Sequence, residues 1–197
     1  MIKIGITGGI GSGKSVVSHL FGIMGVPIYI SDVEAKRLTA HDPVIRELLI
    51  SLLGDEVYQD EKLNKALLAS YLFANSVNMN VVNSIIHPRV KQDFLKWIDA
   101  HAVYEVVGME AAILIEAGFA EEVDKIVMVY APLEIRLQRA MLRDSSSREQ
   151  IMKRIQMQMS DEIKMKRADF VIYNDGERPL MPQVASLIAK LQGKENP

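Results

Sequence analysis

Gly8-Gly9-Ile10-Gly11-Ser12-Gly13-Lys14-Ser15 decides how this chain is read. The eight residues match G-x-x-x-x-G-K-[ST], the pattern of a phosphate-binding loop. Their flanks agree with it. Ile2-Lys3-Ile4-Gly5-Ile6-Thr7 alternates apolar with small or polar residues, as a short strand does, and Val16, Val17, Leu20, Phe21 and Met24 follow at helical spacing. Strand, glycine loop and helix thus stand in the required order. The glycines let backbone N–H groups turn inward around phosphate oxygens, and the helix N-terminus adds positive partial charge. In this pattern Lys14 supplies a mobile cation for the β- and γ-phosphates, and Ser15 a hydroxyl for Mg²⁺. The plain alternative, a glycine-rich turn of chance composition, does not account for eight matching residues in the right context.

At 197 residues the chain is long enough for one core, or for one core with a small appended lobe. Apolar residues at 49% and charged residues at 24% fit a soluble globular protein. A net charge of −2 argues against a general nucleic-acid surface. There is no cysteine, which excludes disulfides, thiolate metal sites and cysteine nucleophiles. The first strand begins at Ile2, so no signal peptide is expected, and no apolar run approaches the ~20 residues of a membrane helix. A cytoplasmic protein without membrane partners is the expectation. Met152, Met157, Met159 and Met165 crowd one region and suit adaptable packing.

Further along, Ile28-Tyr29-Ile30 reads as a second strand, and Ser31-Asp32-Val33-Glu34 has the capping-box pattern of a helix start. A largely helical stretch follows over about 43–102, with breaks expected at Gly54-Asp55, Asn75-Ser76 and His87-Pro88. It is too long for a plain crossover and reads as an inserted lobe. Later strands are expected within Tyr104 to Leu114, at Lys125 to Tyr130 and at Phe170 to Tyr173. The run Lys125 to Tyr130 is nearly all apolar, as in a sheet covered on both faces. Helices are predicted over Leu133 to Arg143, opened by Pro132, over Arg148 to Met159 and over Pro182 to Leu191, with Ser145 to Ser147 as a loop and a frayed end from Gly193. Strands alternating with helices predict an α/β fold, a five-stranded parallel sheet flanked by helices.

Asp32 directly follows a predicted strand, as the phosphate loop does, so in a parallel sheet both leave the carboxyl edge, where ligands bind. A carboxylate there can accept a hydroxyl proton or help hold Mg²⁺. Equally, Asp32 suits the first turn of a helix. Arg136, Arg139 and Arg143 recur at helical spacing, and Arg148 follows across the serine loop. Such a run can close over a transferring phosphoryl group. It can also be a solvated face paired with Glu134, Asp144 and Glu149. His87-Pro88-Arg89 reads first as a helix start, and as an anion site second. Glu110 and Glu116 flank Ala111 to Ile115, at what the pattern makes a strand end. His19, His41 and His101 form no metal-ligand spacing.

Taken together, Ile4 to Ser15 with its Thr7-Gly8-Gly9-Ile10-Gly11 phrase, Asp32 after strand two, and His87-Pro88 resemble the dephospho-coenzyme A kinase family. So do Leu114-Ile115-Glu116, Arg139, Arg143-Asp144, Arg148-Glu149, Gln158, Ala168-Asp169 and Asn174-Asp175-Gly176, and the likeness runs over nearly the whole chain. The resemblance implies a P-loop kinase fold with a helical substrate lobe and a lid at about 139–159. The implied reaction is transfer of the ATP γ-phosphoryl group to the ribose 3′-hydroxyl of dephospho-coenzyme A, the last step of coenzyme A synthesis. By the same resemblance Gly11, Ser12, Gly13, Lys14, Ser15 and Val16 bind ATP, with Ser15 on Mg²⁺ and Asp32 as the base. Arg139, counted with Asp32 and Lys14 among the catalytic residues, and Arg148 belong to the lid, with Arg143 beside them on ATP. Asn174 and Gly176 lie near the adenine, and Asp32, His87 and Glu116 face the substrate, joined by Arg89 as the anion site read from the residues themselves. The expected partner is the small molecule, with no nucleic acid, and the chain a monomer or weak homo-oligomer.

Three positions depart from the family pattern. Ile30-Ser31-Asp32 stands where Asp-Ala-Asp is common, Ala112-Ile113-Leu114 replaces Pro-Leu-Leu, and Val16 replaces a frequent threonine. The matched Asp32 and Ser15 are retained. The competing readings are another nucleoside or nucleotide kinase of the same fold and a regulatory nucleotide-binding module. Guanine recognition usually needs Asn-Lys-x-Asp, and Asn64-Lys65-Ala66-Leu67 lacks the aspartate.

Overall fold

The computed structural model of the chain describes residues 1–194. Part of the expected frayed end, residues 195–197, lies outside them. Two compact units divide the chain. One is Met1–Ile30 together with Ile98–Pro197, the other Ser31–Trp97. In chain order the elements are β1 (Ile2–Thr7), α1 (Lys14–Ile23), β2 (Ile28–Ile30), α2 (Ser31–His41), α3 (Pro43–Leu53), β3 (Tyr58–Gln59), β4 (Lys62–Leu63), α4 (Lys65–Ala74) and α5 (Ser76–Ala100). Then come β5 (Val106–Glu110), β6 (Lys125–Tyr130), α6 (Leu133–Asp144), α7 (Arg148–Gln156), α8 (Asp161–Arg167), β7 (Phe170–Tyr173) and α9 (Leu180–Leu191). Among the described residues no helix is long and apolar enough to cross a membrane.

The first unit carries the sheet, in the order β2-β5-β1-β6-β7 and parallel throughout. This bears out the expected five-stranded parallel architecture. Crossovers on both sides of β1 explain the nearly continuous apolar strands, because each face is covered. Ile4, Ile6, Val127, Val129 and Ile172 point into one core with Val17 and Phe21 of α1 and Val184, Leu187 and Leu191 of α9. Register fixes the functional edge. Ile6 pairs with Glu110, and Glu110 with Ile30, so β1, β5 and β2 end level. Thr7, the last residue of β1, hands the chain straight to Gly8 at that edge.

In the second unit Ile45 and Leu49 of α3, Leu68 of α4, and Val82, Val90 and Phe94 of α5 are buried. Three local readings need correction here. Helix α5 passes through Pro88 without the break expected at His87-Pro88. A proline inside a helix costs about 3 kcal/mol, and here Val82, Val90 and Phe94 keep one apolar face buried on both sides of it. The stretch at Tyr58 to Leu63, read as helical, is an antiparallel hairpin. Its turn places Asp60 and Glu61 at φ 46° and 63°, the two positive φ values of a tight hairpin turn, without the glycine that normally signals one. Finally, the helix from Arg148 stops at Gln156, not Met159, and Ser160 caps a separate α8, its Oγ accepting from Ile163 N at 3.4 Å.

Candidate active site

The phosphate loop closes on itself before α1. Ser12 N donates to Gly9 O at 3.1 Å, and Val16 and Val17 donate to Gly13 O at 3.1 and 3.2 Å. Gly13 sits at φ 90°, and a side chain there would collide with the Asn174 amide. No side chain caps α1, and no acidic residue occupies its first turn. The helix therefore presents its positive end to the loop uncompensated, as an anion site requires. Lys14 Nζ lies over the loop, donating to Gly8 O at 3.0 Å and Gly9 O at 3.4 Å. Ser15 is exposed on the first helical turn, whereas Ser12 is buried and its Oγ has no hydrogen-bond partner in the protein. A hydroxyl buried without a partner costs about 1–3 kcal/mol unless something else meets it.

Side chains distant in sequence hold the loop. Asn174, just past β7, donates through Nδ2 to Ser12 O at 2.8 Å, and Arg139 Nη1 donates to Asn174 O at 3.0 Å. Arg136 is 2% exposed. It donates through Nε to Ile10 O at 2.9 Å and pairs through Nη1 with Asp161. Gln158 Oε1 accepts from Ile10 N at 3.2 Å. The arginines at helical spacing thus do not share an environment. Arg136 is buried against the loop, Arg139 is half-buried beside Asn174, and Arg143 is exposed. Hydrogen bonds from Arg143 and Arg154 hold the Asp144 carboxyl well below the usual carboxylate range. Across the serine loop Arg148 forks onto Glu134 at 2.8 and 2.6 Å and lowers that carboxyl as well. Gly176 takes φ 90° two residues after Asn174.

The turn after β5 is anchored from below. Glu116 Oε1 accepts from Met159 N and from Lys164 Nζ, both at 3.0 Å. Lys164 is 0% exposed and also donates to Ala112 O at 2.9 Å.

In the second unit Asp32 is exposed in the first turn of α2, with Glu34 beside it, while Ser31 is buried as the first helical residue and not as a cap outside the helix. Arg89 grips Asp42, with Nε 3.1 Å from both carboxylate oxygens and Nη2 at 2.7 Å from Oδ2. Asp42 in turn caps α3, accepting from Val44 N and Ile45 N at 3.0 Å. Burial alone would raise the Asp42 carboxyl, but the Arg89 hydrogen bond and the backbone donors outweigh it and leave it below its ordinary value. Arg89 is therefore engaged in structure at the position read as an anion site. Burial pushes the His87 imidazole below its ordinary value, which favours the neutral ring at pH 7.

Comparison with known proteins decides among the kinases this geometry allows. A family model described as dephospho-CoA kinase matches residues 2–179. The chain belongs to the dephospho-CoA kinase family. A dephospho-CoA kinase from Bacteroides fragilis is 63% identical over 193 residues, covering 98% of this chain and 94% of that protein. One from Porphyromonas gingivalis is 41% identical over 195 residues, covering 98% and 96%. A crystal structure of a protein from Thermus thermophilus superposes with a TM-score of 0.81 at 31% identity, covering 99% of this chain and 98% of that one. As a member of the dephospho-CoA kinase family, the chain is an ATP-dependent kinase of coenzyme A biosynthesis, and the other small-molecule kinases of this fold are not favoured.

Within this dephospho-CoA kinase fold, the residues that brace the loop were the hardest to read from sequence. Arg136 looked like one more member of a charged stripe, and Asp161 and Lys164 carried no motif. Ser160-Asp161-Glu162, a cap followed by acids, was a usable helix-start signal. Nothing local marks Lys164 as buried. Replacing it by Met should lower unfolding free energy by about 3 kcal/mol, because Glu116 keeps its charge and loses its cation. Urea unfolding measures this directly. A loss below about 1 kcal/mol would mean that the pair behaves like a surface ion pair.

Proposed function

We propose that this enzyme transfers the γ-phosphoryl group of ATP to the ribose 3′-hydroxyl of dephospho-coenzyme A. The observation that carries the reading is the uncapped α1 N-terminus with Lys14 lying over the loop, in a chain of this family. The substrate oxygen attacks the γ-phosphorus as the bond to the β,γ-bridging oxygen breaks, and ADP leaves. Asp32 accepts the proton of the attacking hydroxyl. Lys14 and the first-turn amides of α1 meet the charge that gathers on the β- and γ-phosphates. Gly11, Ser12, Gly13 and Val16 frame that pocket, and Asn174 and Gly176 flank the adenine. Arg139, Arg143 and Arg148 serve the nucleotide from the lid, and His87 and Glu116 serve the acceptor, whereas Arg89, held on Asp42, ties α5 to the N-terminus of α3. Mg²⁺ fits this donor set, since it keeps several waters and phosphate oxygens and asks few protein ligands. Ser15 would hold it, and bound there it would neutralise phosphate charge. We read the enzyme as cytoplasmic and monomeric or weakly homo-oligomeric, with small molecules as its partners.

A coupled assay with purified enzyme, ATP and dephospho-coenzyme A tests the reaction. Turnover with this acceptor, and at least a hundredfold less with adenosine or AMP, is the expected result. Equal rates on all three would overturn the substrate assignment.

The lid spans about residues 139–159. Admission of substrate and exclusion of water require that segment to open and close. Amide hydrogen exchange across it should slow when ATP and dephospho-coenzyme A are both added. Unchanged, already strong protection would remove the lid from this account.

A further inference from the structure

Ile10, at the crest of the phosphate loop, is gripped at three points. Its carbonyl accepts from Arg136 Nε at 2.9 Å, and its N–H donates to Gln158 Oε1 at 3.2 Å. Its side chain packs on the cluster formed by Leu137, Ala140 and Ile151. The guanidinium of Arg136 also fills the space a side chain at Gly9 would need, and its Nη1 is paired with Asp161. A loop that binds phosphate through backbone N–H groups can aim them only if its own peptides cannot rotate. Here the rotation of the Ile10 peptides is fixed from outside, by side chains of α6, of the α7–α8 connection and of α8.

We propose that Arg136, Gln158 and Asp161 are positioning residues of the phosphate loop, acting through the two backbone groups of Ile10. Asp161 orients Arg136 and neutralises a nearly buried guanidinium, whose side chain is 3% exposed. Arg136 works as a brace on the loop and does not contact the transferring phosphate. The proposal rests on the reading that Gly8 to Ser15 holds the ATP phosphates.

Opposite signs separate a brace from a direct ligand. If Arg136 met phosphate itself, Asp161→Asn would release its charge toward ATP and tighten binding. If Arg136 is a brace, the same change loosens the guanidinium and weakens binding. Calorimetric titration of the full chain with ADP and ATP reads this without turnover. The expected result is affinity about 10-fold weaker in Asp161→Asn, the size of one ordinary hydrogen bond lost. Gln158→Met should shift it in the same direction, with the KM for dephospho-coenzyme A unchanged in both. Unfolding temperatures are recorded alongside, and titrations are run at least 20 °C below them. Unchanged or tighter nucleotide binding by both variants, with only the unfolding temperature lowered, would overturn the proposal. Absence of ATP binding by the unaltered enzyme would instead defeat the phosphate-loop reading on which it stands.

Discussion

Asp32→Asn should lose ~10²–10⁴-fold in turnover, the usual reach of general-base catalysis. A secondary hydroxyl is a poor nucleophile at neutral pH unless its proton is accepted as the phosphoryl group transfers. Strand β2 ends at Ile30, in register with Glu110 and so level with the end of β1. Asp32 follows two residues later, exposed in the first turn of α2. Asparagine keeps the size and the preference for a helix start, but it cannot take the proton. Thermal stability should therefore change little, and ATP affinity should hold. A residue that only favours the helix start predicts the reverse pattern, near-normal turnover with at most a small change in stability. Steady-state rates and an unfolding curve on one purified variant separate the two. Retention of more than about a third of the unaltered rate would take Asp32 out of the mechanism.

The parts of this site that were legible in sequence are those whose chemistry is local. A loop that must wrap phosphate needs glycines, a lysine and a hydroxyl within eight residues, so the chemistry prints itself as a pattern. The sheet was legible for a related reason, since strands covered on both faces must be nearly all apolar. What escaped is what depends on tertiary partners. Arg136 faces Asp161, and Lys164 faces Glu116, 25 and 48 positions away in the chain, and each looks like surface charge until the fold buries it. Buried pairing, not helical spacing, assigns these residues. Pro88 misled in the opposite sense. Its local cost is real, but packing along α5 outweighs it. The hairpin at Tyr58 to Leu63 offered no turn dipeptide, and its small ladder is joined by the Tyr58 hydroxyl, which donates to Thr39 O at 2.5 Å. The same limit applies to Arg89, whose motif suggested an anion site while its guanidinium is committed to Asp42.

Lys14→Ala should cut turnover by ~10²–10³-fold, the cost of removing one preorganised charge donor from a transition state. The ammonium rests on Gly8 O and Gly9 O, so it is already held at the loop and need not be recruited from solvent. When ATP enters, the γ-phosphoryl group carries the charge that Lys14 is placed to meet. ADP lacks that group and should depend on Lys14 less. Two measurements follow from this difference. ATP affinity should fall more than ADP affinity in the variant, and kcat should fall together with kcat/KM because the interaction strengthens as charge builds. Stability should drop by a few kcal/mol at most, since the hydrogen bonds to Gly8 O and Gly9 O contribute about 1 kcal/mol each. An equal loss of ATP and ADP affinity with kcat intact would mean that Lys14 only shapes the loop. Full activity in Lys14→Ala would be incompatible with phosphoryl transfer at this loop, because no other cation on α1 stands in its first turn to take over the role.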